Sequence, residues 1–263
     1  MAEYNREFLT AKHDLYEDNI QNWEFHIRSF LGGNDYKNGY NLHRYILETP
    51  EEYDQRIRHT PVDNHCRNVV QIYSSFLWRV PPSRDYGKLN GDPQLEAFIE
   101  DADLDGRTFN NVMREMQINA SIYGNCWAII DKPQVNTKTR AEELEQDIRP
   151  YISIYTPENV VNWHYSRANS GRFYLDLLVL LEDVNQERAI VKVFTEEDIC
   201  TYEVKDYLKD YSSREVRLID EVINPLGKIP AVNLYNQRSH KRPIGISDLS
   251  DVAELQQSIY NDY

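Results

Sequence analysis

Along the first 124 residues the apolar positions recur at steps of three and four. Tyr16, Ile20, Trp23, Ile27, Phe30 and Leu31 share one face of a helix predicted over 12–31, and Gly32-Gly33-Asn34 ends it. A polar stretch rich in Tyr and Asn then runs to about Glu48. In the next predicted helix Thr60 is placed as N-cap, Pro61 as first helical residue and Asp63 as the third-position acid of a capping box. Its stripe is Val62, Cys66, Val69, Val70, Tyr73, Phe76, Leu77 and Val80. Pro81-Pro82 stops it, since neither proline can donate a backbone hydrogen bond. Cys66 reads there as a small core residue. Asp92-Pro93 opens a short helix to about Ile99. Phe109, Val112, Met116, Ala120 and Tyr123 are in register for a longer helix from Thr108 to Tyr123, with Gly124 suited to its C-terminal cap.

The pattern changes at Asn125. Asn125 to Asp131 reads as a strand, and 133–149 as a polar surface loop whose acidic run Glu142–Asp147 is a solvated face. β-like segments follow at Tyr151–Tyr155, Val160–Tyr165, Phe173–Leu181, Ala189–Thr195, Ile199–Val204, Val216–Ile223 and Ile229–Tyr235. The turns between many of them are short, which predicts mostly antiparallel pairing. A last amphipathic helix has Ser247 as its candidate cap and Leu249, Val252, Leu255 and Ile259 as its stripe. With no stop signal before Tyr263, the native polypeptide is expected to continue in the same helix. The fold class is therefore α+β: a helical part over 1–124, a β-rich part over 125–245, and the start of a further helix over 246–263.

Composition narrows this picture. The apolar fraction of 41% counts 19 Tyr and omits 10 Gly. On the usual definition it is about 38%, a lean core for an ordinary globular chain. The net charge of −14 disfavours a protein that grips nucleic acid tightly. Cys66, Cys126 and Cys200 form no CxxC, so neither a zinc site nor a disulfide framework is signalled and a reducing compartment is the default. No signal-peptide pattern occurs, and the longest strictly apolar run is Leu177–Leu181. The expectation is a soluble, intracellular protein.

Candidate chemistry is sparse. No phosphate-binding glycine loop, dinucleotide fingerprint, HExxH or GxSxG occurs, and the seven histidines have no ligand-like spacing. No cofactor is implied. Asp101, Asp103 and Asp105, followed by Gly106, match the first half of an EF-hand calcium loop, but the twelfth position is Val112, not Glu. The alternative is an acidic turn whose charge favours the start of the following helix. Arg238, Lys241 and Arg242 form the densest basic patch, open to three readings: a DNA phosphate contact, a pairing with an acidic neighbouring subunit, or a solvated turn. Tyrosine and tryptophan abundance suits large protein–protein surfaces.

Three segments together resemble the portal proteins of tailed bacteriophages. The first is Asn38–Ile46 with Pro50–Arg56 and the Asn64–Pro82 helix; the second is Ala120–Asp131, a helix running through Gly124 into a strand. The third is Asn224–Asn236, then Gly245-Ile-Ser-Asp248-Leu249 and an amphipathic helix. The resemblance implies a structural ring, usually a dodecamer, at one capsid vertex, through which double-stranded DNA is packaged and ejected. It implies the major capsid protein, the terminase large subunit and a head–tail adaptor as partners, no membrane, and a location in the virion, with assembly in the host cytoplasm. It implies no catalytic residues. Portals are considerably longer than this chain, which resembles the outer wing and the approach to the stem helix. On this reading Arg238, Lys241 and Arg242 are subunit-interface candidates. The competing readings are another head–tail adaptor or minor capsid protein, a metal-dependent nuclease using Asp101, Asp103 and Asp105, and a non-viral binding module.

Overall fold

The structure, a computed structural model, describes residues 4–38, 41–133, 139, 142, 146, 148–185, 187–207 and 215–262. In chain order the helices are α1 (Arg6–Thr10), α2 (Asp14–Leu31), α3 (Gly33–Lys37), α4 (Pro50–His59), α5 (His65–Leu77), α6 (Pro93–Glu100), α7 (Phe109–Tyr123) and α8 (Ser250–Asp262). The strands are β1 (Asn125–Asp131), β2 (Tyr151–Tyr155), β3 (Val160–Arg167), β4 (Phe173–Glu182), β5 (Arg188–Thr195), β6 (Asp198–Lys205), β7 (Val216–Ile223), β8 (Ala231–Tyr235), β9 (Gln237–Arg238) and β10 (Gly245–Ile246). This is the α+β class that the periodicities predict, with the switch at Asn125. Among the described residues no helix is long and apolar enough to cross a membrane. The chain forms two compact units, Met1–Ile20 with Tyr155–Ala231, and Gln21–Ile154 with Val232–Tyr263.

The first unit is built on an antiparallel meander, β3-β4-β5-β6-β7. Ala189, Val191 and Val193 alternate along β5, and their partners across the ladder are Val204, Tyr202 and Cys200 on β6. All six are buried, so a period of two on each strand becomes one continuous apolar face. In β4 the consecutive residues Leu178, Val179 and Leu180 are all buried, so both faces of that strand are covered. The segment between α1 and α2 lies along this sheet. The backbone N–H of His13 donates to Val161 O at 2.9 Å, and its ring stacks on Trp163 with centroids 4.3 Å apart. The Tyr16 hydroxyl donates to Glu158 O at 3.1 Å.

In the second unit β2-β1-β8 form a three-stranded sheet. Val112, Met116 and Ala120 of α7 enclose a core with Cys126, Ala128 and Ile152 from that sheet. Tyr36, Leu42 and Tyr260 close a second, smaller cluster against Phe25, Tyr53 and Ile57.

Three local expectations are corrected. First, α4 occupies part of the segment for which the periodicity predicts no helix. It has almost no apolar face and stands instead on local chemistry. Thr49 accepts the Glu52 N–H, Glu52 accepts the Thr49 N–H at 2.8 Å, and Pro50 fills the first turn. Second, Thr60 ends α4 and does not begin α5. Its hydroxyl donates to Arg56 O at 2.7 Å, and Asn64 caps α5 by accepting the Arg67 N–H at 2.7 Å. Third, the α5 stripe is only partly core: Cys66, Val70 and Ser74 are buried, whereas Tyr73, Phe76, Leu77 and Val80 are exposed. In the acidic run, Glu143, Leu144, Glu145 and Asp147 lie outside the described residues, as do Gly39 and Tyr40 of the first portal-like segment.

Candidate functional site

The C-terminal end of α7, the end of β8, the β9–β10 hairpin and the start of α8 meet within the second unit. Gly124 makes the meeting possible. Its φ of 94° ends α7 in the left-handed region, with its N–H on Ala120 O at 2.7 Å. The Gly124 and Gly245 backbones then touch. A Cβ on Gly124 would stand 2.5 Å from Gly245 O, and one on Gly245 would overlap the Gly124 carbonyl.

Side chains lock this junction. Ser247 is buried, and its hydroxyl donates to Ile122 O at 2.6 Å while accepting the Leu249 N–H at 2.9 Å. It therefore ties the turn before α8 to the last turn of α7, instead of capping α8 itself. Ser121 donates to Asp248 Oδ2 at 2.6 Å, and Asn236 Nδ2 donates to Asp248 Oδ1 at 2.8 Å. The Asn236 N–H reaches Gly124 O at 2.9 Å. A carboxylate accepting two donors at these lengths holds three elements at one point.

Further along α8, Gln256 is 1% exposed. Its Oε1 accepts the Cys66 N–H at 3.0 Å and its Nε2 donates to Ser29 O at 3.1 Å, so one amide joins α2, α5 and α8. At the far end Asn261 Nδ2 donates to Asn41 O at 2.8 Å and Tyr260 meets Tyr36 edge to face. The buried face of α8, with the residue just before it, is thus Leu249, Ala253, Gln256 and Tyr260. The apolar stripe read from the sequence is corrected: Leu255 is 64% exposed and Ile259 is exposed too. The reason is that a buried glutamine with both hydrogen-bonding ends satisfied can occupy a core position that a polarity count assigns to solvent.

Burial acts on two thiols near the clamp. It pushes the Cys66 and Cys126 thiols up to about 12, where they remain protonated and unreactive.

Of the sequence-derived candidates, the basic patch belongs to the hairpin of this junction and the acidic turn lies elsewhere in the unit. Arg238, Lys241 and Arg242 are exposed around the β9–β10 hairpin, where Ser239 donates to Ile244 O at 2.6 Å and accepts the Lys241 N–H at 3.1 Å. Arg238 lies over the Tyr235 ring at 5.2 Å. Asp101, Asp103 and Asp105 lie between α6 and α7, and no described hydrogen bond or ion pair joins them to the hairpin. Asp101 accepts the Gly106 N–H at 2.9 Å and pairs with Arg149 at 2.6 Å. Asp103 accepts the Asp105 N–H at 3.0 Å and pairs with Arg107. These bonds brace the turn through its own backbone N–H groups and through Arg107 and Arg149. Among the described residues a different trio, Asp198, Cys200 and Glu221, brings three potential metal ligands within 4.8 Å of one another, on β6 and β7. There Asp198 already accepts the Thr195 hydroxyl at 2.6 Å, and burial with the nearby carboxylates pushes the Cys200 thiol up to about 11.

Residue-by-residue reading missed the Ser121–Asp248–Asn236 lock and the Gln256 bridge, although Ser121, Asn236, Asp248 and Gln256 all fall within the segments that carry the portal likeness. A family model described as phage portal protein, SPP1 Gp6-like, matches residues 9–261. No curated protein matches the chain.

Proposed function

Because this chain belongs to the phage portal protein family, we propose that copies of it form a closed ring, a dodecamer, at one capsid vertex, and that double-stranded DNA enters and leaves through the ring. The family match over nearly the whole chain is the observation that carries this reading. In it the major capsid protein surrounds the ring, the terminase large subunit docks during packaging, and a head–tail adaptor docks afterwards. The role is structural, with no catalytic step assigned to any side chain. The charge of −14 agrees: an acidic surface repels phosphate and lets DNA slide where a basic one would hold it. The division into a helical wing part over 1–124, a β-rich wing part over 125–245 and a stem-leading helix from 246 belongs to the same proposal. The lock around α8 supports it, because a helix that leads toward a channel wall must leave its own domain in a fixed direction.

Arg238, Lys241 and Arg242 are proposed to face carboxylates of a neighbouring subunit. Arg238 and Lys241 enter no ion pair among the described residues. The test of the ring is electron microscopy of the purified full-length protein. Closed rings with a central channel are expected; a protein that stays monomeric at high concentration would overturn the reading. Charge reversal at Lys241 and Arg242 is expected to weaken assembly, and unchanged assembly would remove the hairpin from the interface.

A further inference from the structure

The second unit carries two bare apolar features of opposite shape. One is a tip. Tyr45 and Glu48 close a turn through Glu48 N–H to Tyr45 O at 3.1 Å and Tyr45 N–H to Glu48 Oε2 at 3.1 Å. Arg56 grips Glu48 at 2.8 Å and lies over the Tyr45 ring at 4.3 Å, and Arg44 donates to Glu48 O at 3.0 Å. The two residues held out by this brace are Ile46 and Leu47, 100% and 94% exposed. A fixed turn that presents two aliphatic side chains to water loses little conformational entropy when it docks.

The other feature is a cleft of about 470 Å³ between α5 and α7, with Tyr73, Leu77, Trp78, Met113, Gln117 and Leu234 among its walls. Trp78 Nε1 and Gln117 Oε1 are buried with no partner among the described residues. Both atoms lie inside the cleft wall, and the cleft itself offers an apolar floor, which suits a turn that presents two aliphatic side chains. The helix beside it is exposed at Phe76 and Leu77, 71% and 65%.

A chain cannot fill its own cleft. The tip is anchored at the C-terminal end of α8, where the His43 N–H donates to Asn261 Oδ1 at 2.6 Å. The cleft is walled by Asp248, just before the N-terminal end of the same helix. The 13 residues of α8, at about 1.5 Å each, separate the two anchors by roughly 20 Å. Charge matches the pair. No Asp or Glu occurs between Asp63 and Asp85, and exposed Arg79 lies beside the cleft wall, whereas the first turn of α4 next to the tip carries exposed Glu51 and Glu52. In a chain of net charge −14, the α5 side of the cleft, free of Asp and Glu, is where a second copy meets least repulsion.

We propose that Ile46 and Leu47 of one copy insert into the α5–α7 cleft of the next, giving a head-to-tail contact that repeats around the assembly. Two different surfaces of one chain meeting in this way make a heterologous interface, the type that closes into rings. The proposal rests on the ring reading above and adds the residues that join its subunits.

The test uses the full-length protein with Leu47→Cys and Leu77→Cys in one chain. The three native cysteines are buried and stay out of the reaction. Oxidation is expected to give a ladder of covalent multimers. Mixing the two single-cysteine variants is expected to stop at covalent dimers, since each carries one half of the bond. Leu47→Asp and Leu77→Asp, each shown by circular dichroism to stay folded, are expected to raise the concentration needed for assembly by about 30-fold or more, as loss of an interface hot spot does. Rings in the wild type without a ladder, and with Leu47→Asp assembling unchanged, would overturn this contact and leave the ring reading standing. Covalent dimers from Leu47→Cys alone would show a symmetric tip-to-tip contact and overturn it too. A wild type that never assembles overturns the ring reading and this contact with it.

Discussion

The meander of the first unit and the clamp around α8 in the second are held by different physics. In the meander the ladder runs in unbroken register from Leu177↔Thr195 to Glu182↔Ile190 and from Arg188↔Lys205 to Phe194↔Ile199, and the core is a sheet face of aliphatic residues. Each position contributes area, and neighbours can shift to cover a loss. Around α8 the decisive contacts are single atoms: one glycine carbonyl against another glycine, one carboxylate between Ser121 and Asn236, one amide between Ser29 and Cys66. Here area matters less than position. The meander supplies a body, and the clamp fixes the direction of one helix.

The largest expected effect separates the two most sharply. Gly245→Ala places a methyl group against the Gly124 carbonyl, and neither backbone can move without dragging α7 or β10. A loss of about 4 kcal/mol or more is expected. Hydrogen exchange should report it as lost protection in α8 and the end of α7, with β4–β6 still protected. Uniform loss across both units would erase the distinction between meander and clamp.

Leu178→Ala attacks the meander instead. It is fully buried on a strand covered on both faces, so about 3 kcal/mol is expected from transfer and cavity together. Thermal unfolding should show the drop, while molecules that remain folded assemble normally.

Gln256→Ala comes next, at about 2 kcal/mol, because the Cys66 N–H and Ser29 carbonyl lose their partner inside the protein. Gln256→Leu keeps the volume and tests whether hydrogen bonding or packing matters. A leucine variant as stable as the wild type would show that α8 is held by packing, like the meander.

The smallest effect is a pH dependence. Burial holds the His26 imidazole below its ordinary value of 6.5, opposed by a hydrogen bond with the Ile122 backbone. As pH falls through 6.5 the unfolded chain takes up a proton that the folded chain resists, so stability is complete above 6.5 and declines below it until the folded pKa is reached. His26→Asn should flatten that decline between about pH 7 and 5. An unchanged slope would assign the acid sensitivity to other groups.

The sequence by itself determined the element classes and most of their limits. Ala189–Thr195 could be read as a strand because a half-buried sheet imposes a period of two, Val160–Tyr165 and Phe173–Leu181 because they are short β-like runs between turn-like segments, and Thr108 with Gly124 bracketed α7 because capping is local. The Thr49–Glu52 box that starts α4 was legible by the same logic, although the polar composition of that segment concealed the helix. Which side of a helix faces inward was settled elsewhere. Tyr73, Phe76, Leu77 and Leu255 have the spacing of core residues yet are exposed, while Gln256 is buried. Periodicity records that an apolar face exists; only the arrangement of the other elements decides whether anything covers it. The approach of Gly124 to Gly245, the carboxylate shared by Ser121 and Asn236, and the separation of the Ile46-Leu47 tip from the α5–α7 cleft all join residues far apart in the chain. Close approach and hydrogen-bond satisfaction across such separations have no sequence period, so tertiary structure alone decided them.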